Sequence, residues 1–378
     1  MPYYLSKGFQ EKVAEMVVHV PGVSTILGEF SQHCQGHVLC CANSQDLTVR
    51  LSDSPDNQVH IRNTLTGDKK KFSLSGLKFR KEDKWGNYVK GVYYHLTDAG
   101  YSPKACDIVL EGDILKSDGS MLAAAVSVGV CLALRKAQRL DISDSRIAEL
   151  CYKVCAFFCS ENTKYSTIKT MLEAEEGKFM LFDLGAMSFE YLADPFKDSP
   201  QCMLVVDCTI PPDAMREEIR HRHRQAVSSF ALLKARAPQF PIRDFPVSEL
   251  RDRLIPIDEE ARRLCAAVLE DSATAAAMQR LFERKDCIQI GKSLGRIGKL
   301  LRDDLELSCP EMDWMVKRAG EVPACYGSSV LFNGVNTYVL IVMDRSSVPL
   351  YMAKLEDYER IFGFKAEVSP LVPDGRWQ

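Results

Sequence analysis

The chain has 378 residues, of which 46% are hydrophobic and 26% charged, with a formal net charge of −3. These are the proportions of an ordinary globular protein with a full core, in two domains or three. The near-neutral balance excludes any global electrostatic case for nucleic acid or an anionic membrane as a partner.

Taken in chain order, Gly36 to Ala42 and Leu47 to Leu51 read as strands, separated by the turn-prone Asn43-Ser44-Gln45-Asp46. Val59–Leu65 and Lys70–Phe79 read as further strands of the same sheet, with Thr66-Gly67-Asp68 as their turn. The cluster Lys69-Lys70-Lys71, Lys78, Arg80 and Lys81 is read as a solvated flank of that hairpin. Trp85 to Thr97 has helical spacing and ends near Gly100. The apolar run Ile108-Val109-Leu110 then leads through a loop at Gly112 into an alanine-rich helix, Ala123 to Arg135. A loop that opens a helix after a strand is a place where backbone N–H groups and the helix dipole hold phosphate. Here Gly119 is the only glycine at the turn, and Leu122 and Ala123 stand where hydroxyls would be useful.

Ile147 to Cys159 reads as a helix, and Phe179 to Leu184 as a buried strand. The polar, proline-bounded segment Asp194 to Pro200 is the domain boundary expected from composition, giving domains 1–195 and 196–378. Leu204–Asp207 opens a second unit with helices at Ala214–Ala235, Glu259–Leu269, Ala273–Arg284 and Met312–Ala319, closed by the strand Thr337–Met343. Pro238 to Pro246 reads as a surface loop. The class is α/β or α+β in two domains.

The 14 cysteines include no C-x-x-C pair, so neither a zinc ribbon nor a thioredoxin-type redox site is expected. Cys151, Cys155 and Cys159 recur on one helical face as buried thiols rather than metal ligands. With no signal peptide in Met1–Glu11 and no apolar run of membrane-spanning length, the expected compartment is a reducing cytoplasm. Gly291-Lys292-Ser293 imitates the end of a nucleotide-binding loop, but it lacks the earlier glycine and a strand-to-helix setting. His221 and His223 face different sides of a helix, which argues against a shared metal.

Four segments, in order, resemble the galactokinase branch of the GHMP small-molecule kinases. Leu301-Arg302-Asp303-Asp304-Leu305-Glu306-Leu307-Ser308-Cys309-Pro310-Glu311-Met312-Asp313 is similar to that family's S-L-R-D-D-F-E-V-S-C-P-E-L-D. Trp85-Gly86-Asn87-Tyr88-Val89-Lys90-Gly91-Val92 matches W-x-N-Y-V-K-G-V, and Pro21-Gly22 through Ala42 stands in the place of the family's first sugar-binding motif. The Gly112 loop stands in the place of the phosphate loop. The resemblance implies the two-domain GHMP kinase fold, with an N-terminal ribosomal-protein-S5-like domain and a C-terminal GHMP domain. It also implies ATP and magnesium as cofactors and phosphorylation of galactose at its anomeric hydroxyl.

Carried over residue by residue, the resemblance leaves the reaction without its central groups. The family's catalytic arginine falls on Val23 and its catalytic aspartate on Thr167. Valine cannot stabilise a transferring phosphoryl group, and threonine is no general base at neutral pH. Glu29 matches a sugar-contacting glutamate, Gln32 replaces a sugar-contacting aspartate, and a sugar-contacting tyrosine falls on Ile219. For the nucleotide, the implied contacts are Trp85, Tyr88, Ser117, Gly119 and Ser120. The three phosphate-loop serines become Met121, Leu122 and Ala123, and the glutamate near magnesium falls on Cys155, with Glu161 close by, so no metal site is expected. The third motif lines up with Gly327 to Tyr338, where Phe332 and Val335 are expected to fill space kept open by glycine. The leading expectation is a catalytically silent galactokinase-like protein that binds a sugar, a nucleotide or a protein partner. The alternatives are an active kinase with a relocated carboxylate at Glu29, Asp118 or Glu161, and a scaffold without a ligand.

Overall fold

The computed structural model describes residues 16–117, 119–211, 214–332, 334 and 338–375. By contacts these form two compact units that are discontinuous in sequence. The first unit takes its described residues from 16–20 and 45–163, and the second from 21–44 and 164–375. Strands β1 (Met16–Leu27) and β2 (His37–Asp53) contribute to both units.

In the first unit, β3 (Gln58–Asn63) and β4 (Lys69–Ser73) form the expected hairpin, although β4 ends at Ser73 in a turn at Ser75-Gly76 rather than running to Phe79, and β3 runs parallel to β5 (Cys106–Glu111). The C-terminal part of β2 pairs antiparallel with β5, giving the order β4-β3-β5-β2. Alternation in β5 buries Cys106, Ile108 and Leu110 on one face, the period-two pattern of a half-covered sheet. Helices α1 (Gly86–Asp98), α2 (Ser120–Gln138) and α3 (Asp144–Lys153) cover the sheet, and α3 continues into a π-helical turn at Val154–Phe158. Helix α2 has a mean hydropathy of 1.5, enough by length and composition for a membrane span, but 72% of that window is buried as in a core helix. Its Gly129 lets the sheet approach, since a Cβ there would meet Val49 Cγ2 at 2.6 Å.

The second unit begins with α4 (Tyr165–Glu173), β6 (Lys178–Asp183) and β7 (Ser188–Ala193). Here β2 contributes its other half, with His37 to Cys40 pairing antiparallel with β6. A separate antiparallel sheet has the order β11-β8-β10-β9, from β8 (Gln201–Asp207), β9 (Cys325–Leu331), β10 (Tyr338–Asp344) and β11 (Glu367–Pro370). On it pack α8 (Cys287–Asp303) and α9 (Pro310–Gly320), with α10 (Val348–Phe362) against α9, while α7 (Glu259–Glu283) packs on α8, β6 and β7 and carries α5 (Arg216–Arg236) and α6 (Val247–Arg251). Helix α8 lies directly on β9 because Gly291, Gly295 and Gly298 remove side chains from the contact. A Cβ on Gly327 would sit 1.9 Å from the Gly291 carbonyl oxygen.

Two further expectations are corrected. Asn43 to Asp46 is not a turn, because β2 runs straight through it and the Asn43 amide donates to Ser24 Oγ at 2.9 Å. Glu259–Leu269 and Ala273–Arg284 are one 25-residue helix, α7. Of the residues aligned with the third motif, Gly327 lies in strand β9 and Phe332 is buried at 5% exposure, while Val335 lies outside the described residues. The Gly291-Lys292-Ser293 imitation is mid-helix in α8, where no backbone N–H is free to cradle phosphate.

Candidate functional site

In the second unit the turn after β1 is set by Gly28, whose φ of +84° and tight surroundings (a Cβ would lie 2.2 Å from the His37 carbonyl oxygen) admit only glycine. Its backbone N–H donates to Asp271 Oδ2 of α7 at 2.9 Å. Beside it on the same helix, Ser272 Oγ accepts the His37 N–H at 2.9 Å. These bonds fix the turn that carries Glu29.

Glu29 Oε2 accepts a hydrogen bond from Lys164 Nζ, which also donates to Thr25 Oγ1 at 3.0 Å. On the other side, His223 Nε2 of α5 lies 3.8 Å from Glu29 Oε1, and His223 Nδ1 lies 3.1 Å from His33 Nε2. The arrangement is a chain of polar groups running from Thr25 through Lys164, Glu29 and His223 to His33. Burial acts to raise the Glu29 pKa, but the Lys164 ammonium and His223 outweigh it and hold the carboxyl below its ordinary range. Burial and the neighbouring His223 lower His33 to about 4, so its ring is neutral at physiological pH. Asp271 moves the other way: burial raises it to about 7, against the hydrogen bond from Gly28. Apolar rings close the cluster. Phe30 lies over His223 with ring centroids 4.3 Å apart, and Phe332 meets Phe30 edge-on at 6.3 Å.

Val23 is buried in β1 and Thr167 is buried in α4, at 1% and 5% exposure. Ile219 packs in the core of the second unit. Glu29 and Gln32 are three residues apart but part company: Glu29 faces Lys164, whereas Gln32 lines a groove beside α5. Lys164, just before α4, was not singled out in the sequence. Its partners Thr25 and Glu29 lie 139 and 135 residues away, and no local pattern announces such a contact.

The nucleotide-side residues lie in the first unit. Gly112, with φ +117°, packs against the Asp46 carbonyl, and Gly119, with φ +66°, stands at the N-cap of α2. Between and after them Leu115, Met121 and Leu122 are buried, and Ser117 Oγ is buried without a partner among the described residues. Ser120 offers its carbonyl to Thr163 Oγ1 at 3.1 Å. Asp118 lies outside the described residues. Trp85 precedes α1 with its indole N–H buried and unpartnered among the described residues. Asn87 ties the preceding loop through its side chain to Arg80 and Lys84. Tyr88 donates its hydroxyl to Glu161 Oε1 at 3.0 Å.

These residues do not fit a magnesium ion. Burial pushes the Cys155 thiol up to about 12, so it stays protonated beside Ser127, 3.9 Å away. A neutral thiol is a poor ligand for a hard cation that takes oxygen donors. Leu122 and Ala123 supply no hydroxyl, and Glu161 is engaged by Tyr88.

The fold is that of the GHMP kinases. The structure superposes on that of Lactococcus lactis galactokinase complexed with galactose with a TM-score of 0.84, at 17% identity, covering 96% of this chain and 94% of the other. Methanococcus jannaschii mevalonate kinase matches with a TM-score of 0.62 at 12% identity, covering 96% and 99%. Residues 6–52 match the galactokinase galactose-binding signature. Bacillus subtilis galactokinase is 23% identical over 366 residues, 95% of this chain and 93% of that one. A Treponema pallidum relative, named provisionally as a galactokinase, is 26% identical over 357 residues, 93% and 89% of the two chains. In sequence and fold the chain is similar to the galactokinase branch of the GHMP kinases.

Proposed function

We propose that this galactokinase-like protein has lost phosphoryl transfer and serves as a binding protein for a sugar or nucleotide, read out by a protein partner. The observation that carries the proposal is the ion pair between Glu29 and Lys164. In a working sugar kinase of this branch, the first motif offers its carboxylate to substrate hydroxyls. Here that carboxylate is neutralised from within by an ammonium that also occupies Thr25. With Val23 and Thr167 at the reaction-bearing positions, no arginine offsets phosphoryl charge and no carboxylate takes a proton. The misfit of Cys155, Leu122 and Ala123 to magnesium supports the same reading.

The test is an ATP-dependent phosphorylation assay across a hexose panel that includes galactose, combined with thermal shifts for ATP, galactose and sugar phosphates. The expected result is no turnover with a stabilising shift for at least one ligand, since a ligand that binds only the native state must stabilise it. Turnover that disappears in Glu29→Gln would overturn the proposal in favour of an active kinase with a relocated carboxylate. Absence of any shift would favour a scaffold.

A further inference from the structure

The second unit carries a groove of about 700 Å³, of whose lining the galactokinase-type reading claims only Gln32. It runs along α5 from His33 toward the C-terminal end of the helix, walled by the Pro238–Arg243 loop. Its volume lies within the range of small-molecule sites, roughly 300–1,000 Å³. The floor is apolar. Val227 and Phe230 of α5 line it together with Phe240 and Ile242 of the loop, and Val227 is 61% exposed, so its apolar surface is open to a ligand.

The polar groups around that floor are one-sided. Lys234, Arg243 and His33 line the groove with three glutamines, and no carboxylate is among the lining residues. Arg243 is held by Asp183 through two hydrogen bonds of 2.6 Å, which fixes its guanidinium and offsets its charge. Lys234 has no acidic partner among the described residues, so it is the cation available to a ligand. An apolar floor with one available ammonium and amide donors complements a molecule with an apolar body and an anionic head.

We infer that this groove binds a small organic anion with an aromatic or aliphatic body, its head on Lys234 and its body on Val227 and Phe230. The site adjoins the Glu29 cluster and shares His33 with it, on the side of His223 away from Glu29.

The test uses the full chain and the fluorescent probe 1-anilinonaphthalene-8-sulfonate, with phenylacetate and phenyl phosphate as competitors. The expected result is saturable binding at one site, displaced by at least one competitor, with the more effective one identifying the preferred head group. Lys234→Gln should weaken the probe about 10-fold or more, the scale of a lost charge-assisted hydrogen bond. Val227→Asp should weaken it comparably, because it puts a carboxylate on the floor. Lys292→Gln on α8 should leave binding unchanged, and circular dichroism checks that each variant is folded. Binding that is unsaturable, or equal in the folded Lys234 and Val227 variants and wild type, would overturn the inference. Failure of both small anions to displace a probe that still senses Val227 would also overturn it, and would point to a protein segment as the occupant.

Discussion

Replacing Lys164 by Met removes the cation that neutralises Glu29 while keeping a side chain of similar length. The two side chains are only 10% and 12% exposed, so Glu29 is left as a buried charge. Breaking a buried pair from one side costs about 3–5 kcal/mol. His223, 3.8 Å from the other carboxylate oxygen, offers partial compensation, which places the expected loss near the lower bound, about 3 kcal/mol. The sign of the pH dependence is diagnostic. In the wild type the Glu29 pKa is depressed, so its contribution is present above the unfolded value and lost as pH falls through the folded value. In Lys164→Met desolvation acts without the ammonium and the folded pKa rises. The variant should therefore recover stability on acidification, its deficit being smaller at about pH 5 than at about pH 8. Urea denaturation of both proteins at the two pH values measures this; Asp271, which the Lys164 ammonium also holds down, rises with Glu29 in the variant and adds to the pH dependence in the same direction. The double variant Lys164→Met/Glu29→Gln should regain most of the loss. A deficit below about 1 kcal/mol, or one that does not depend on pH, would show that the pair is not the buried, coupled unit described here.

Asp271→Asn keeps an acceptor for the Gly28 N–H and removes a carboxyl whose pKa is raised to about 7. A raised carboxyl pKa makes wild-type stability fall as pH rises from the unfolded value toward 7, by up to roughly 4 kcal/mol. Urea midpoints of Asp271→Asn should be flatter across that window, and an unchanged slope would contradict the assignment. Gly327→Ala forces a Cβ to within 1.9 Å of the Gly291 carbonyl oxygen and should destabilise by about 3 kcal/mol in chemical denaturation. Asn87→Ala removes the acceptor of the Arg80 N–H, while the Arg80 and Lys84 carbonyls keep their backbone donors from Asp83 and residue 87, and should cost roughly 1–3 kcal/mol, with faster hydrogen exchange at Arg80.

The sequence motifs carried the fold because the segments holding them are locally regular. The α1 helix and the β3–β4 hairpin follow from spacing and turn residues. What was misread depends on distant partners. Asn43 looks like a turn former, yet in β2 its amide is satisfied by Ser24 on the neighbouring strand. Asp271 and Ser272 look like a helix break, yet they stay inside α7 because their side chains serve Gly28 and His37 rather than their own helix. Helix α8 was hidden by Gly291, Gly295 and Gly298, which lower helix propensity while permitting contact with β9. The candidate site was legible at Glu29 as a residue but not as an ion pair. Lys164 acquires meaning only when the chain between them has folded.

The clasp of α7 on the Gly28 turn also sets an order of events during synthesis. The Asp271 bond spans 243 residues, so the turn that presents Glu29 is finished only after its fastener leaves the ribosome. At roughly 5–20 residues per second that is a wait of about 10–50 s. Through that interval Glu29 exists on a nascent chain without the helix that holds its turn.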